Sequence, residues 1–294
     1  MNSVRRLADR RLISLTGEGS IQLLHSLCAQ DLTSKLSEPG SASFSVFLNP
    51  VGRVLFESIL YRPKEHPSFP SADTVLVDIH KSIKERVLAH LVRYKLRGPV
   101  TISDTEMGVL CSLGSEKIPV EWFRDPRYPV KLPERAIVDE KMANMFADSS
   151  VEYKRRRLCL GVPEGPKEIQ VNEALPIHNN FDLMNGISFN KGCFVGQELT
   201  TRTMRRGVVR RRVVSLSSAS QISVDSDVVS GSGLTIGKVI ASEGQCALAM
   251  IQTENGDALN EMEQAAHLLS QIGPVTVNGV AAQIVIPGYF YKAH

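Results

Sequence analysis

The sequence predicts an α+β fold in which helices pack on antiparallel sheets, followed by a smaller carboxy-terminal domain built mostly of strands. Three observations support this prediction. In the first two thirds of the chain, short apolar runs alternate with stretches of helical spacing, which is typical of helices packed on sheets. After Arg206 and Gly207 the pattern becomes a series of short strand-like runs, as in a small barrel. The length of 294 residues corresponds to about two domains at roughly 100–200 residues each.

The amino-terminal part is predicted to begin with a strand at 12–15 and a helix with Ser20 as its N-cap. Further strands are predicted at 42–48, 54–60, 74–79, 100–103 and 109–113. A hairpin turn is predicted at 49–52 and a proline-rich loop at 63–70. Residues 81–97 give the clearest helix prediction, because apolar side chains recur at helical spacing. These side chains are Ile83, Val87, Leu88, Leu91, Val92 and Leu96.

The second half of the chain carries fewer helices. Residues 114–133 are predicted to be irregular, 151–159 and 197–205 helical, and 161–187 an ordered loop rich in Pro, Gly and Asn. Strands are predicted at 208–216, 227–229, 235–240, 247–251, 274–277 and 281–286, with one helix at 257–270. The predicted domain boundary therefore lies between 204 and 205, giving domains 1–204 and 205–294.

Composition and charge exclude several classes of protein. The hydrophobic share of 43% and charged share of 22% exclude disorder of the whole chain. No apolar window approaches the roughly 18 residues of a membrane helix, and the net charge of +3 is too small to favour nucleic acid or an anionic membrane as a partner. The motifs of phosphate loops and of zinc peptidases are missing from the sequence.

The amino terminus is rich in arginine, with Arg5, Arg6, Arg10 and Arg11 against the single acid Asp9. This composition is similar to the tail of a mitochondrial presequence. The preferred interpretation is a solvated segment that leads into the first strand.

Five cysteines lie far apart along the chain, at Cys28, Cys111, Cys159, Cys193 and Cys246. Their odd number and wide spacing argue against a self-contained metal site or a disulfide framework, and favour a reducing compartment. All except Cys193 lie inside apolar runs and are interpreted as buried, small hydrophobic residues.

The most informative segment surrounds Cys193. It consists of Lys191, Gly192, Cys193, Phe194, Val195, Gly196, Gln197 and Glu198. The two glycines are expected to allow unusual backbone angles, and a helix is predicted to begin at Gln197. A lysine and a helix amino terminus both favour the thiolate, which is the nucleophilic and metal-binding form of cysteine. Cys193 is therefore the predicted functional thiol. Phe194 and Val195 are open to two interpretations, contact with a partner or core packing.

The chain also contains two runs of basic residues. Lys154–Arg157 are four consecutive bases on a predicted helix, where they cannot share one face, so Arg157 is expected to point inward. The arginines from Arg205 to Arg212 are interpreted mainly as solvated faces, although a set of arginines would also suit a folate glutamate tail or an acidic partner. RNA binding is not favoured because interleaved aromatic residues are missing.

The segment 191–198 resembles the signature of the YgfZ-type proteins, which are relatives of the folate-dependent aminomethyltransferase of the glycine cleavage system. The resemblance extends over nearly the whole chain, through 11–17, 30–32, 47–53, Arg157 with 161–165, 173–176 and 186–191. It is strongest to the eukaryotic branch, the mitochondrial iron–sulfur cluster assembly factors of the IBA/CAF type that mature [4Fe-4S] proteins. The family implies an aminomethyltransferase-like ring of several parts, with ferredoxin-like parts and an inserted subdomain at about 50–110 within 1–204, ahead of the carboxy-terminal barrel.

The same resemblance implies a mitochondrial matrix location and a partnership with A-type iron–sulfur scaffold proteins. A [2Fe-2S] cluster needs four ligands, and the chain offers one well-placed thiol, so the expected arrangement is a cluster shared between Cys193 and a partner. In this interpretation Lys191, Gly192, Gly196 and Gln197 shape the loop, and Glu198 pairs with Arg202 one helical turn later. No catalytic residue is assigned, because an assembly factor is favoured over an enzyme.

A folate-dependent one-carbon transferase is the alternative. The related transferases carry an aspartate after the strand that corresponds to 74–79, whereas residues 81–86 of this chain contain none. That difference weakens the transferase interpretation and leaves tetrahydrofolate as a second candidate ligand. Asp31, Arg53 and Glu173 are the candidate folate residues, with capping or loop hydrogen bonds as the alternative for the two carboxylates. A role accessory to tRNA modification rests on fold analogy alone.

Overall fold

A computed structural model describes residues 3–64, 73–95, 98–128, 133–148 and 150–291. Parts of three predicted elements, at 65–70, 96–97 and 129–132, lie outside these residues. The chain divides into two compact units. The amino-terminal unit comprises Met1–Pro50, Leu55–Ser150 and Asn185–Gln197, and the barrel unit comprises Val51–Val54, Val151–Met184 and Glu198–His294.

The amino-terminal unit contains two antiparallel sheets and four short helices. Its strands are β1 (Val4–Arg6), β2 (Arg10–Thr16), β3 (Ser41–Leu48), β4 (Val54–Arg62), β5 (Thr74–His80), β6 (Thr101–Asp104), β7 (Met107–Ser112), β8 (Trp122–Arg124) and β9 (Glu134–Asp139). Its helices are α1 (Ser20–Leu27), α2 (Leu32–Lys35), α3 (Lys84–Tyr94) and α4 (Glu140–Ala143), and a 3-10 turn at Lys81–Ile83 precedes α3.

The five-stranded sheet of this unit has the order β3-β4-β5-β2-β6. Strands β2 and β5 pair antiparallel, with Ile13 opposite Val77, and helices α1 and α3 contribute Leu24 and Leu91 to the same buried core. The hydrophobic spacing of the sequence thus identified these elements correctly. Val92 is an exception, because its side chain is 57% exposed rather than part of the predicted stripe.

Helix α1 begins differently from the prediction. Gly19, in the left-handed conformation, is the N-cap, and Ser20 is the first helical residue. The Ser20 hydroxyl donates to the carbonyl oxygen of Gly17. A glycine at φ 90° can make the sharp entry into the helix that a side chain would resist.

The four-stranded sheet has the order β1-β7-β9-β8, and it corrects two predictions. The amino-terminal lead-in is strand β1, whose Val4 is buried and pairs with Ser112. The segment predicted as irregular contains β8, and β9 follows it. Strands of three residues lack a measurable alternation, so only pairing with β7 and β9 defines them.

Strands β4 to β7 do not form a separate sheet, because they pair with β2, β1 and β9. The inserted subdomain at about 50–110 remains a prediction, and so do the domains 1–204 and 205–294. The compact units divide the chain differently, since residues 151–184 group with the barrel.

The barrel unit is built from α5 (Ser150–Cys159), α6 (Gln197–Arg206), α7 (Met262–Ser270) and six strands. The strands are β10 (Arg212–Ser218), β11 (Asp227–Val229), β12 (Thr235–Glu243), β13 (Cys246–Ile251), β14 (Pro274–Val277) and β15 (Val280–Val285). They close in the order β10-β13-β12-β11-β14-β15, which confirms the predicted barrel. A 3-10 turn follows at Gly288–Tyr291.

Residues 151–184 pack on the barrel through a buried set of polar groups. The side chain of Asn180 donates to the carbonyl of Val213 at 2.7 Å, and the Tyr289 hydroxyl donates to the carbonyl of Gly161 at 2.7 Å. The predicted strand at 208–216 begins only at Arg212, and the predicted helix at 257–270 begins only at Met262.

The prediction for two cysteines was wrong. Cys159 and Cys246 form a disulfide that joins the end of α5 to the start of β13, and Cys159 is exposed. The apolar neighbours of each cysteine in the sequence suggested burial, but Cys159 is the last residue of α5, on its solvent side. Cys28 and Cys111 are buried and take no part in a disulfide, as predicted.

Candidate functional site

The segment that leads to Cys193 is bound to the sheet of the amino-terminal unit by hydrogen bonds. The amide of Ser188 donates to the carbonyl of Ala29 at 2.9 Å, and the Ser45 hydroxyl donates to the carbonyl of Gly186. The side-chain amide of Gln30 donates to the carbonyl of Asn185. The predicted loop therefore has a fixed path, and it delivers Lys191 to the end of helix α1.

Lys191 holds the signature segment to the turn that follows α1. Its Nζ donates to the carbonyl oxygens of Cys28 at 2.8 Å and Gln30 at 3.1 Å, and also to that of His25. The last carbonyls of a helix have no partner within the helix and carry the negative end of its dipole. A lysine ammonium, with three donors, can bind three carbonyls at once, here those of His25 and Cys28 at the helix end and that of Gln30 beyond it. Lys191 thus acts as a C-terminal cap for α1 from a distant part of the sequence.

Burial changes the pKa values of Lys191 and of the neighbouring His25 and Cys28. Burial lowers the pKa of Lys191, although the nearby Cys28 and Asp31 act in the opposite direction. Burial and the Lys191 charge both lower the pKa of His25, and burial raises the pKa of the Cys28 thiol. At neutral pH the imidazole of His25 and the thiol of Cys28 are therefore neutral.

The two glycines of the signature segment differ. Gly196 has φ 79°, a left-handed conformation that favours glycine. Gly192 is outside that region, and a Cβ at this position would meet no atom within 4 Å. The expectation of unusual backbone angles on both sides of Cys193 therefore applies to Gly196 alone.

Cys193 lies on the turn that Gly196 closes, next to the side chain of Gln197. The Gln197 carbonyl oxygen Oε1 accepts a hydrogen bond from the Phe194 amide at 3.0 Å, and its Nε2 lies 3.9 Å from the Cys193 sulfur. The Lys191 ammonium sits 5.0 Å from the centre of the Phe194 ring. Val195 packs against the sheet core, which favours core packing over partner contact for this residue.

All five cysteines lie in the part of the chain that the structure describes, so their environments can be compared directly. Cys193 is free and exposed, whereas the other two free cysteines are buried. The remaining pair forms the disulfide. Cys193 is therefore the thiol that an external ligand or metal can reach without opening the fold.

The ion pair predicted after the signature segment is weak. Glu198 and Arg202 are 3.9 Å apart, with side chains 89% and 63% exposed. Such a pair contributes little in water. Orientation of helix α6 by this pair has little physical support.

Two of the three candidate folate residues, Asp31 and Arg53, use their side chains in contacts within the protein. Asp31 is the N-cap of α2 and accepts from the Thr33 amide and hydroxyl. The hydrogen bond from the Thr33 hydroxyl is the main cause that lowers the pKa of Asp31. Arg53 donates to the backbone carbonyl of Glu173 at 2.9 Å. Asp31 belongs to the amino-terminal unit, and the other two to the barrel unit. The capping alternative describes Asp31 correctly.

The residues that sequence reasoning missed are the partners of Lys191. His25 and Cys28 contribute backbone carbonyls, which carry no sequence signal. Gln30 had one signal, since residues 30–32 are part of the family resemblance, but its carbonyl and side-chain roles are visible only in three dimensions.

A buried carboxylate in strand β5 was also missed. Asp78 receives Arg10 Nε at 2.7 Å, Arg135 Nη1 at 2.6 Å and the Tyr61 hydroxyl at 3.1 Å. A fully buried ion needs such a set of partners to remain charged. Asp78 therefore has a structural role within the sheet.

No group of three or more His, Cys, Asp and Glu side chains is placed to hold a metal ion within the ranges given above. In those same ranges no helix has the length and apolar character needed to cross a bilayer.

Comparison with known proteins agrees with this architecture. Residues 210–290 match the family model of the CAF17 C-terminal β-barrel domain. The crystal structure of the glycine cleavage system aminomethyltransferase T from Bartonella henselae superposes with a TM-score of 0.70, covering 98% of this chain and 85% of that one, at 15% identity. This likeness confirms the predicted aminomethyltransferase-like α+β fold.

Curated relatives are similar in sequence as well. The Iron-sulfur cluster assembly factor IBA57 homolog, mitochondrial, of Coccidioides immitis is 31% identical, over 85% of this chain and 71% of its own length. The human Iron-sulfur cluster assembly factor IBA57, mitochondrial, is 29% identical, over 85% and 77%. The Dictyostelium discoideum homologue is 32% identical over 70% of this chain, which spans 60% of that relative's length.

The chain therefore has a mitochondrial location, as its relatives do. Its barrel matches the family model, and its identity to these relatives extends over most of both chains. The chain belongs to the IBA57 family of mitochondrial iron–sulfur cluster assembly factors.

Proposed function

We propose that this chain takes an iron–sulfur cluster as cargo in the mitochondrial matrix and passes it on during the maturation of [4Fe-4S] proteins. The observation that carries the proposal is Cys193, an exposed free thiol on a turn fixed by Lys191 and Gln197. The family supports the cargo, because its members are named as iron–sulfur cluster assembly factors.

The ligand count determines how the cargo is held. A [2Fe-2S] cluster takes four protein ligands, usually thiolates. The amino-terminal unit presents one accessible thiol, and Cys28 and Cys111 are closed off from solvent. A partner therefore supplies the remaining ligands, and we propose an A-type scaffold protein for this role.

The residues around Cys193 have distinct tasks in this proposal. Lys191 fixes the segment against α1 through carbonyl oxygens, and Cys193 stays exposed. Gln197 holds the turn through the Phe194 amide and brings an N–H close to the sulfur. An N–H donor near a thiolate stabilises the negative charge that metal binding requires.

The test mixes the pure chain anaerobically with an A-type scaffold that carries [2Fe-2S], and follows visible absorption and native mass. We expect a complex with one cluster, little iron on the isolated chain, and loss of the complex in Cys193→Ser. Stability should change by less than about 0.5 kcal/mol in this variant, because the side chain is exposed.

Cys111→Ser is the matched control. Its side chain is buried, so the hydroxyl should cost about 1–3 kcal/mol of unfolding free energy and leave the shared complex intact. Cys159 is unsuitable because it is disulfide-bonded. A bridged complex at normal yield in Cys193→Ser, or a full cluster on the isolated wild-type chain, would contradict the proposal.

Tetrahydrofolate is the second ligand proposed, with binding but no turnover. The fold likeness to an aminomethyltransferase supports this proposal. The side chains of Asp31 and Arg53 already make hydrogen bonds within the protein, which argues against these two residues as folate ligands. Calorimetry with tetrahydrofolate tests this proposal, and a titration that shows no heat of binding would contradict it. Folate-dependent release of ammonia from an aminomethyl donor would instead support the transferase alternative.

A further inference from the structure

The barrel unit carries a dense strip of exposed positive charge directly after the signature segment. Its members are Arg202, Arg205, Arg206, Arg210 and Arg211, all exposed, and we call this set the arginine strip. Between Gln197 and Arg212 the sequence contains one acidic residue, Glu198. Arg202, Arg205 and Arg206 have the three- and four-residue spacing that places side chains on one face of a helix. The strip is thus a concentrated cation surface on a protein with a net charge of only +3.

The backbone that carries the strip is fixed. Helix α6 ends at Arg206, and the amide of the next residue, Gly207, donates to the Thr203 carbonyl at 3.1 Å. A Cβ at Gly207 would lie 2.8 Å from that same oxygen, so the turn requires glycine. The side chain of Asn260 then clamps the next residues, donating to the Gly207 carbonyl at 3.2 Å and accepting from the Val209 amide at 2.9 Å.

The neighbouring Arg212 shows what a structural arginine looks like in this unit. It is fully buried and donates to Asp182 at 2.7 Å, to the Ile177 carbonyl at 2.8 Å and to the Leu259 carbonyl at 3.1 Å. One residue beyond the strip, the fold therefore buries an arginine and gives its Nε and Nη1 atoms acceptors within the protein.

The strip itself is left almost without partners. Arg205, Arg206 and Arg210 make no hydrogen bond or ion pair with any described residue, and Arg211 reaches only Gln252, at 3.4 Å. In contrast, the exposed Lys81 of the amino-terminal unit pairs with the carboxylate of Asp9 at 2.7 Å. The arginines are thus available to an external anion and are held on a rigid backbone, which lowers the ordering cost of binding.

We propose that the arginine strip is a docking surface for the acidic face of a protein partner. Planar guanidinium groups pair with carboxylates in a bidentate manner, and complementary charge increases the rate of association. The segment has no aromatic residue on which RNA bases could stack. Its one exposed large apolar side chain is Val208, which is too little for a membrane-bound helix.

The inference rests on the proposed function only in naming the partner as a protein of cluster assembly. The charge preference of the strip is tested separately, with a fluorescent deca-glutamate peptide and anisotropy as the measurement. In about 50 mM salt the wild-type chain should bind this peptide, and about 200 mM salt should weaken binding, because screening shortens the reach of exposed charges.

The double variant Arg205→Glu/Arg206→Glu should bind the peptide at least ~10-fold more weakly, since like charges then face each other. The matched control is Arg155→Glu/Arg156→Glu, which reverses two consecutive exposed arginines on α5 and should stay within about 3-fold of wild type. Both variants change exposed side chains, and equal thermal midpoints show that they remain folded.

The two proposals can fail separately. If the wild-type chain binds the peptide but shares no cluster with the scaffold, the proposed function is contradicted and the arginine strip remains supported as a docking surface. If the wild-type chain shares a cluster but the two double variants bind the peptide equally well, the proposed docking surface at the arginine strip is contradicted. Tighter binding of a 12-nucleotide RNA than of the peptide, lost in Arg205→Glu/Arg206→Glu, would assign the surface to nucleic acid and overturn the choice of partner.

Discussion

Lys191 and Arg157 are both removed from water, one in each unit, but their partners are of opposite kinds. Lys191, half-buried, donates to backbone carbonyls of residues 25–30. Arg157 is 4% exposed and forms a two-pronged ion pair with Glu168, at 2.6 and 2.7 Å. The first contact uses neutral acceptors and the second uses a charged one.

The difference explains what each region can do. A buried ion pair is costly to break on one side only, so Arg157 fixes the path of residues 161–168 against α5. A lysine on neutral carbonyls keeps its positive charge uncompensated, and it holds a turn whose cysteine stays exposed. The barrel unit therefore uses its buried cation for structure, and the amino-terminal unit uses its own to position Cys193.

The largest effect should come from breaking the ion pair. Arg157→Met leaves the Glu168 carboxylate buried without its partner and should lower the unfolding free energy by about 3–5 kcal/mol. Chemical denaturation measures this loss. Arg156→Met, on the exposed face of the same helix, is the control and should stay within about 0.5 kcal/mol. Equal losses in the two variants would show that the inward position of Arg157 has no energetic role.

Breaking the Lys191 contact should lower the unfolding free energy less than breaking the Arg157–Glu168 ion pair. It should reduce cluster sharing more. Lys191→Met keeps the length of the side chain but leaves partly buried carbonyls without a donor, at about 1–2 kcal/mol. Cluster sharing with the scaffold should fall sharply because the turn loses its anchor. Lys167→Met, at an exposed position, provides the comparison. Full cluster sharing in Lys191→Met would remove the positioning role.

A pH measurement sharpens the comparison in the barrel unit. Burial, followed by the charges of Arg212, Arg211 and Arg53, lowers the pKa of His178 from 6.5 to about 4, against an opposing effect of Asp182. The unfolded chain therefore binds this proton more readily than the folded one. The stability is fully present above pH 6.5 and is lost as the pH falls toward 4.

His178→Gln tests this dependence because glutamine does not titrate. Between pH 7 and pH 5, wild type should lose about 1 kcal/mol more unfolding free energy than the variant, after allowance for partial exposure of the ring. Parallel stability curves for the two proteins would contradict the assignment.

The smallest effect distinguishes the two glycines of the signature segment. Gly196→Ala places a side chain at φ 79° and should cost about 1 kcal/mol. Gly192→Ala enters open space and should stay within about 0.5 kcal/mol. Thermal denaturation of both variants gives the comparison, and a larger loss at Gly192 would place the strained residue on the other side of Cys193.

Local patterns in the sequence predicted much of the architecture. Regular alternation and turn residues located the six barrel strands, and the apolar stripe located α3. The spacing of bases on α5 predicted that Arg157 points inward, which its burial confirms. These features depend on neighbours a few residues apart, so a short window contains the information.

Predictions failed where the deciding contact was remote. Strand β8 is three residues long, and only its pairing with β9 defines it. The helix predicted at 257–270 begins five residues late, after the turn in which Asn260 binds Gly207 and Val209. Cys159 and Cys246 are 87 residues apart, and nothing near either one indicates the other.

The sequence by itself determined that Cys193 stands in a distinctive segment that begins a helix, and that the chain ends in a barrel. Only the tertiary structure decided that Lys191 caps α1 and that Cys193 is the exposed free thiol. The Lys191 contact joins positions 163 residues apart in the chain, and its acceptors are backbone carbonyls that every residue type possesses. No residue type marks such a contact in the sequence. It forms only when the sheet has brought the two segments together.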